Sequence, residues 1–472
     1  MKKTKLNLLI KCILVMVPMW AMIAFIKLYP LAFTGRDSVI IYWNTNFINT
    51  HHKEDYKVLI MGDSVAATCF MPEYLSEDTI NLSIAGSSML DGYYTLKHYL
   101  KNNAAPTDIF VTYMDYHLQQ DNIFWRASSL VGKYTFEDNK EIYDSIMATD
   151  ADVSESINMD NFWEEAIQYV IGYPGKYMNA IVQAIEEGDR LEANKKLLKK
   201  IDLHSGRYCK MVNDIYDIAN SNRVGYGEFF VTDLQDLYYT RFVELCAEND
   251  IRLHIVKTPS SYYTAYTEKY EKQIREYYAG LLGGYDNMEF VWYRDEYFVE
   301  WFWDNAHMNQ HGSYQFTQRL KADYPEIFGN YAATPRQMET INADINIENE
   351  LSYIFKWIDK SNYTVLLYNN LPPDEKINTL YQVYLHYNDQ FLMPTDIPNL
   401  YYVTGDGAAL SGINFAVDDK NINLQVGSDL TSISLASKYD ITAVIIDNSN
   451  GTIVRTTHAN YNFEEGSFHL MD

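Results

Sequence analysis

The sequence predicts an α/β protein in which helices flank a parallel sheet in three layers. A transmembrane helix is expected at the N-terminus and a small α+β domain at the C-terminus. With 472 residues, of which 47% are hydrophobic, the chain has room for more than one domain and a large core. Helical segments alternate with short apolar segments, which is typical of a parallel sheet. The predicted strands cover residues 58–61, 80–84, 108–114, 251–258 and 288–293.

Residues 1–34 predict a membrane anchor with a cytoplasmic N-terminus. Lysines dominate the first five positions, and residues 6–33 are mostly apolar. About 20 apolar residues span a bilayer as a helix. Positive charge at the start favours an N-terminus inside the cell, which places the bulk of the chain outside, at the cell membrane. A cleaved signal peptide is the alternative. Residues 35–55 are expected to form a linker.

Charge and cysteine content exclude several classes of function. The formal net charge is −25, whereas nucleic-acid phosphates require a basic surface, so no nucleic acid is expected as a partner. Four cysteines are too few for a disulfide framework, and their spacing is not that of metal ligands. We expect no metal and no cofactor. The 41 tyrosines are compatible with stacking on sugars and equally with a compositional bias.

The first predicted strand ends in a Gly-Asp-Ser motif at 62–64. A strand that runs into a tight turn can present a serine at the carboxyl edge of an α/β sheet. Residues 65–70 predict a helix whose positive N-terminal end faces that serine and would help to stabilise an oxyanion. Ser64 is therefore a candidate nucleophile, and Asp63 is expected to stabilise the turn.

A candidate base follows about 240 residues later. Asp304 and His307 are three residues apart, and on a helical turn this spacing brings both side chains to one face. The carboxylate would accept the Nδ1–H of the imidazole and leave Nε2 free to take a proton from a serine. Gly312 is expected at the start of the last helix of the domain.

Three motifs in this order resemble the SGNH (GDSL-like) hydrolase superfamily. They are the Gly-Asp-Ser at 62–64, the glycine at 86 after the second strand, and Asp-x-x-His-x-Asn-x-x-Gly at 304–312. The resemblance covers roughly residues 55–330, and the α/β domain is expected at 56–332. It implies that Ser64 is the nucleophile, His307 the general base and Asp304 the residue that orients it. It also implies that the backbone N–H groups of Ser64 and Gly86 bind the oxyanion.

One block of the family pattern differs in this chain. The third strand should be followed by a Gly-x-Asn-Asp-like turn whose Asn donates to the oxyanion, but Asp115 stands in that region. An ionised Asp115 would repel an oxyanion, and Asn122 lies nearby at a different position. Losing one such donor typically lowers the rate by about 10²–10³. Either another donor substitutes, or the chemistry is not that of a free-standing esterase.

The anchor and the outward-facing domain are similar to a membrane-anchored branch of the superfamily. That branch includes the lipoteichoic-acid D-alanylation protein DltD and the alginate-type O-acetylation proteins. The similarity implies acyl-ester transfer or hydrolysis on a cell-surface polysaccharide or teichoic-acid-like polymer, beside a multi-span acyltransferase of the MBOAT class. Transferase and esterase remain open alternatives. A third is a non-enzymatic surface scaffold or glycan-binding partner of the acyltransferase.

Two further regions complete the predicted organisation. Residues from about 135 to 230 predict a mostly helical insertion, with helices at 162–171, 176–198 and 207–219, that serves as a lid or a docking surface. Residues 335–472 predict an α+β accessory domain, a candidate binding module, because two helices (345–357 and 376–387) accompany several strands between 363 and 456.

Overall fold

The structure is a computed structural model of the chain. It describes residues 2–35, 38–52, 55–121, 123–207, 224–260, 264–293, 302–329 and 331, and the strands of the C-terminal region between 363 and 470.

In the described residues before 332, the strands are β1 (Val58–Gly62), β2 (Thr79–Asn81), β3 (Asp108–Thr112), β4 (Val224–Tyr226), β5 (Arg252–Lys257), β6 (Thr264–Tyr266) and β7 (Met288–Trp292). The α-helices are α1 (Lys2–Leu28), α2 (Pro30–Phe33), α3 (Val39–Ile48), α4 (Ser64–Cys69), α5 (Met89–Asn102), α6 (Asp115–Leu118), α7 (Trp125–Leu130), α8 (Phe136–Thr149), α9 (Phe162–Ile171), α10 (Met178–Glu187), α11 (Arg190–Leu203), α12 (Asp233–Glu248), α13 (Glu268–Leu282), α14 (Gln310–Asp323) and α15 (Pro325–Phe328).

The central sheet has five strands in the order β2-β1-β3-β5-β7, and every neighbouring pair is parallel. Helices flank this sheet, so the predicted α/β class and the five predicted strands are confirmed. Because the strands are parallel, their carboxyl ends meet at one edge, where α/β proteins bind ligands. The strand order changes direction at β1, because β2 lies on one side of β1 and β3 on the other. Ser64 follows β1 directly.

Side chains of β1 alternate between two cores. Leu59 and Met61 pack in a large cluster with residues of α3, α5, α12 and α13, whereas Val58 and Ile60 pack with residues of α4, α14 and α15. All five β1 residues and all five β3 residues are buried. Burial on both faces is expected of the middle strands of a parallel sheet and explains their largely apolar sequence.

The predicted linker 35–55 contains a helix of the core. Val39 and Ile48 of α3 are fully buried, and the side-chain amide of Asn44 donates a 2.9 Å hydrogen bond to the carbonyl of Leu82. The Trp43 indole N–H donates to Asp202 of α11 at 2.7 Å. The apolar face of this short segment packs on the domain, so residues 39–48 do not behave as a spacer.

The insertion is helical as expected, with one difference. The single helix predicted at 176–198 is two helices, α10 and α11, because Gly188 adopts a φ of +67° and ends α10. The helix predicted at 207–219 lies almost wholly outside the described residues. Strands β4 and β6, which were not predicted, form a small parallel pair.

The N-terminal apolar segment forms α1. Within the part of the chain that the structure describes, no helix is both long enough and apolar enough to cross a bilayer. The anchor predicted for residues 1–34 therefore remains a prediction.

The C-terminal strands form two antiparallel sheets. They are β8 (Tyr363–Asn369), β9 (Met393–Pro394), β10 (Leu400–Val403), β11 (Ile413–Val417), β12 (Asn421–Val426), β13 (Asp429–Ser434), β14 (Ile441–Asp447), β15 (Ile453–Asn462) and β16 (Ser467–Leu470). One sheet has the order β16-β15-β14-β8-β10-β9, and β11-β12-β13 form a meander. The helices predicted at 345–357 and 376–387 and the boundary at 332–335 lie outside the described residues.

Candidate active site

The tip of β1 requires glycine at position 62. Gly62 has a φ of +145°, and a Cβ there would stand 1.9 Å from the carbonyl oxygen of Thr112 and 2.7 Å from the Cβ of Ala66. No other residue fits, because a side chain would push β1 away from β3. The glycine thus lets the chain turn tightly from the strand into α4 and places Ser64 at the first position of that helix.

Asp63 ties this turn to the third strand. One carboxylate oxygen accepts the Val65 backbone N–H at 2.8 Å, which caps α4, and the other accepts the Met114 N–H at 2.7 Å. His117 lies 3.7 Å from the same carboxylate. Asp63 is fully buried, and this burial raises its pKa although the hydrogen bonds and His117 oppose the shift. These contacts fit the turn-stabilising role expected for Asp63.

The structure brings together the three residues that sequence reasoning selected. Ser64 Oγ lies 2.7 Å from His307 Nε2, and His307 Nδ1 lies 2.6 Å from a carboxylate oxygen of Asp304. Ser64 is separated from His307 by 243 positions in the chain. A hydroxyl, an imidazole and a carboxylate joined in this order can move a proton from the serine to the imidazole, which is the geometry of a nucleophile with its base.

The Asp304–His307 segment is a tight loop, not the helical turn that the spacing predicted. Asp304 Oδ1 accepts the backbone N–H groups of Ala306 at 2.8 Å and His307 at 2.7 Å. A bridge between Phe302 and Met308 closes the base of the loop. An aspartate that bonds its own downstream backbone stabilises a turn, and here it leaves Oδ2 for the imidazole.

Asp304 is held in its ionised form. Burial by itself would raise the pKa of Asp304, but the hydrogen bonds and the charge of His307 outweigh burial and hold the pKa below its usual range. A carboxylate in this state accepts the Nδ1–H and stabilises the imidazolium that forms when His307 takes a proton.

The loop after β2 lies against the tip of β1. The Ile84 N–H donates to the Gly62 carbonyl at 2.9 Å, and the Ser87 hydroxyl donates to the same oxygen at 3.2 Å. A turn closed by Ser87 N–H to Ile84 O places Gly86 at its third position, where its φ is +77° and glycine is favoured. Within the described part of the chain, neither the Ser64 nor the Gly86 amide donates a hydrogen bond to a protein acceptor.

The structure alters the interpretation of Asp115. Its carboxylate pairs with the Lys257 ammonium at 2.5 Å and accepts a hydrogen bond from the Tyr270 hydroxyl. Burial lowers the pKa of Lys257, but attraction to Asp115 outweighs it, so the pKa lies above the usual value and the amine stays charged. The repulsion of an oxyanion expected from an isolated Asp115 is therefore compensated. Asn122 lies outside the described residues.

A cleft opens between the carboxyl ends of β3 and β5. Val65 and Ala306, the neighbours of Ser64 and His307 in sequence, line one side of it. Its other walls carry Lys257, Tyr226 and Tyr266, and the two tyrosine rings stack at a centroid distance of 5.3 Å. The Lys257 ammonium lies 4.9 Å from the centre of the Tyr266 ring.

Sequence reasoning missed Lys257 and the two tyrosines. Lys257 is the last residue of β5, and the rule that strand carboxyl ends line the site of an α/β protein marks that position. Tyr226 and Tyr266 carried no such signal, because β4 and β6 are three residues long. Among the described residues, no group of three or more His, Cys, Asp and Glu side chains has the arrangement of a metal site.

Comparisons of the sequence with protein-family models and with curated proteins found no match. The likeness to the SGNH superfamily thus depends on the three motifs and on the geometry in which the fold assembles them.

Proposed function

We propose that the chain is a membrane-anchored, extracellular SGNH-type enzyme that transfers or hydrolyses acyl esters on a cell-surface polysaccharide or teichoic-acid-like polymer. The observation that carries the proposal is the continuous Ser64–His307–Asp304 chain of contacts, with distances of 2.7 and 2.6 Å. A scaffold that had lost its activity would have no need to keep this arrangement, so the contacts favour an enzyme over the non-enzymatic alternative.

The proposed reaction has two halves. Ser64 Oγ attacks the ester carbonyl while His307 Nε2 takes the hydroxyl proton, and the tetrahedral intermediate collapses to acyl-Ser64 as His307 returns the proton to the departing alcohol. A second hydroxyl then attacks acyl-Ser64 and gives its proton to His307, which passes it to Ser64 Oγ. If that hydroxyl belongs to the polymer, the acyl group is transferred; if it belongs to water, the ester is hydrolysed.

Two backbone amides are proposed to stabilise the oxyanion. The Ser64 N–H lies at the nucleophile itself, and the Gly86 turn is fastened to Gly62 by two hydrogen bonds. Donors held in place before the reaction cost no reorganisation when the charge develops. The third-strand side chain that usually supplies another donor in the family is engaged here, because Asp115 pairs with Lys257.

The cleft beside Ser64 supports a sugar-containing substrate. Tyrosine rings supply apolar faces with a polar edge, and Lys257, Thr258 and Ser260 add donors on the same wall. A multi-span acyltransferase of the MBOAT class is proposed as the partner that delivers acyl groups across the membrane.

Covalent labelling tests the nucleophile. The full chain should react with a fluorophosphonate probe, and Ser64→Ala should abolish the reaction because the attacking oxygen is gone. Ser154→Ala, which removes an exposed serine of the insertion, is the matched control and should label normally. Equal labelling of Ser64→Ala and the wild type would contradict the proposed chemistry.

Ester content of the surface polymer tests the substrate. Cells that carry Ser64→Ala should differ from wild-type cells in polymer-bound acyl ester, with less ester if the enzyme transfers and more if it hydrolyses. An unchanged ester content in cells whose wild-type protein reacts with the probe would contradict the proposed substrate but leave the nucleophile standing.

A further inference from the structure

Exposed apolar side chains concentrate in two segments. Of the twenty large apolar side chains that are exposed in the described part of the chain, eight lie at 14–29 and seven at 167–185. The others are scattered singly, as is normal on protein surfaces. Contiguous apolar surface is rare in soluble proteins and marks an interaction site.

The exposed residues of α1 cover most of the helix circumference. At about 100° per residue, Leu14, Met16, Val17, Trp20 and Met22 are distributed over roughly two thirds of it, and each is more than a third exposed. A protein partner would cover one face of a helix and leave the other in water. A helix that exposes apolar side chains over most of its circumference is instead stable in an apolar phase that surrounds it, which points to lipid.

The insertion presents its apolar side chains as two stripes. On α9 they are Ile167, Val170 and Ile171, at the i, i+3, i+4 spacing that shares one helix face. On α10 they are Met178, Val182 and Ile185, at the i, i+4, i+7 spacing, and Ile185 is 77% exposed. A neighbouring face of α9 packs inward through Phe162 and Ala166, which are fully buried. We call these six exposed side chains the insertion face.

The insertion face adjoins the end of α1. A Cβ at Gly172, the residue after α9, would stand 3.2 Å from Lys27 Cε and 3.8 Å from Ile23 Cγ2 of α1. Ile23, which makes this contact, and Ile26 are both buried. The side-chain amide of Asn194 on α11 donates to the carbonyls of Leu31 and Thr34, at 2.9 and 2.8 Å, and fastens the segment after α1 to the insertion.

We propose that the insertion face lies in the interfacial region of a phospholipid bilayer and holds the domain against the membrane at a second point beside α1. The apolar stripes would enter the boundary between headgroups and acyl chains, as interfacial helices do. Tyr29 and Tyr173 are exposed at this junction, and aromatic side chains of this kind favour the membrane–water interface. The inference rests on the proposed location at a membrane, but it makes no use of the chemistry of Ser64.

An environment-sensitive fluorophore at position 185 tests this proposal. Cys12 and Cys209 are first replaced by serine, since the other two cysteines, Cys69 and Cys246, are buried. Ile185→Cys in the full chain is then labelled with NBD and reconstituted into vesicles of phosphatidylcholine and phosphatidylglycerol. The matched control is Met147→Cys, because Met147 is 59% exposed on α8, outside the insertion face.

The label at 185 should emit at shorter wavelength than the label at 147. Spin-labelled lipids with the nitroxide near the headgroup should quench it more strongly than lipids with the nitroxide deep in the acyl chain, because interfacial helices enter only about 5–10 Å. Emission at 185 equal to that at 147, no quenching by either lipid, or stronger quenching by the deep nitroxide would overturn the proposal. Fluorophosphonate labelling of the same vesicles reports on Ser64 separately, so the two proposals can fail independently.

Discussion

Replacing Asp304 by asparagine should disable His307 without disturbing the loop that carries it. Asp304 Oδ1 accepts two backbone N–H groups, whereas Oδ2 contacts His307 Nδ1 at 2.6 Å. An asparagine keeps its carbonyl oxygen toward the two N–H groups, because the amide NH₂ would meet two donors there. The NH₂ group therefore faces Nδ1 and donates to it. The imidazole proton must then sit on Nε2, where it blocks proton transfer from Ser64.

The expected loss is about 10⁴-fold in rate, the size typical of a triad whose histidine is held in the wrong tautomer. At about 1.4 kcal/mol for each factor of ten, this corresponds to about 5.5 kcal/mol of transition-state stabilisation. The unfolding free energy should hardly change, since both backbone hydrogen bonds of the loop are retained.

The assay is the second-order rate constant of fluorophosphonate labelling, measured together with the melting temperature. Asp144→Asn, on the exposed surface of α8, makes the same chemical change away from the site and should react like the wild type. If Asp304→Asn labels within about tenfold of the wild type while melting normally, Asp304 does not set the tautomer of His307, and the proposed roles are wrong.

Three further substitutions test the surroundings of the site. Gly62→Ala should lower the melting temperature and the labelling rate together, because the alanine Cβ would stand 1.9 Å from the carbonyl oxygen of Thr112. A normal melting temperature would show that β1 can shift away from β3 without loss of stability. Lys257→Met should lower the unfolding free energy, measured with denaturant, by about 3–5 kcal/mol, since it leaves Asp115 buried without its counter-charge. Adding Asp115→Asn should restore much of that free energy. No recovery in the double variant would argue against the ion pair. His254 lies between two carboxylates; burial lowers its pKa, but the carboxylates outweigh burial and raise the pKa above the usual 6.5. The contribution of His254 to stability should therefore be complete below about pH 6.5 and decline as the pH rises through the raised pKa. His254→Gln should flatten the pH dependence of the unfolding free energy, and an unchanged pH profile in this variant would refute the assignment.

Local pattern was enough to locate the strands of the central sheet. Strand β1 carries an uninterrupted apolar run of the length that a buried strand requires, and the prediction at 58–61 stops one residue short of its end at Gly62. The prediction at 288–293 contains β7, Met288–Trp292. Helices α12 and α13 each begin after a threonine whose hydroxyl caps the helix, which is a local start signal. These signals act over a few residues and can be read without knowing the fold.

Elements that depend on distant partners were misjudged or missed. Helix α3 is short and follows a membrane-like segment, so nothing local separates it from a linker; its burial depends on contacts with Leu82 and Asp202, far along the chain. The break at Gly188 was missed because a glycine within a helical pattern is often tolerated. The short strands β4 and β6 pair only across 40 positions.

The sequence by itself determined the α/β class, the order of the strands along the chain and the three residues that form the candidate site. It could do so because periodicity, glycine positions and the Asp–His spacing are local properties. Only the tertiary structure decided that Ser64 Oγ stands 2.7 Å from His307 Nε2, that Asp304 contacts the imidazole from a loop that its own carboxylate stabilises, and that Lys257 neutralises Asp115. Each of these contacts joins groups whose distance and orientation are set by how the whole sheet and its helices pack, which no short stretch of sequence specifies.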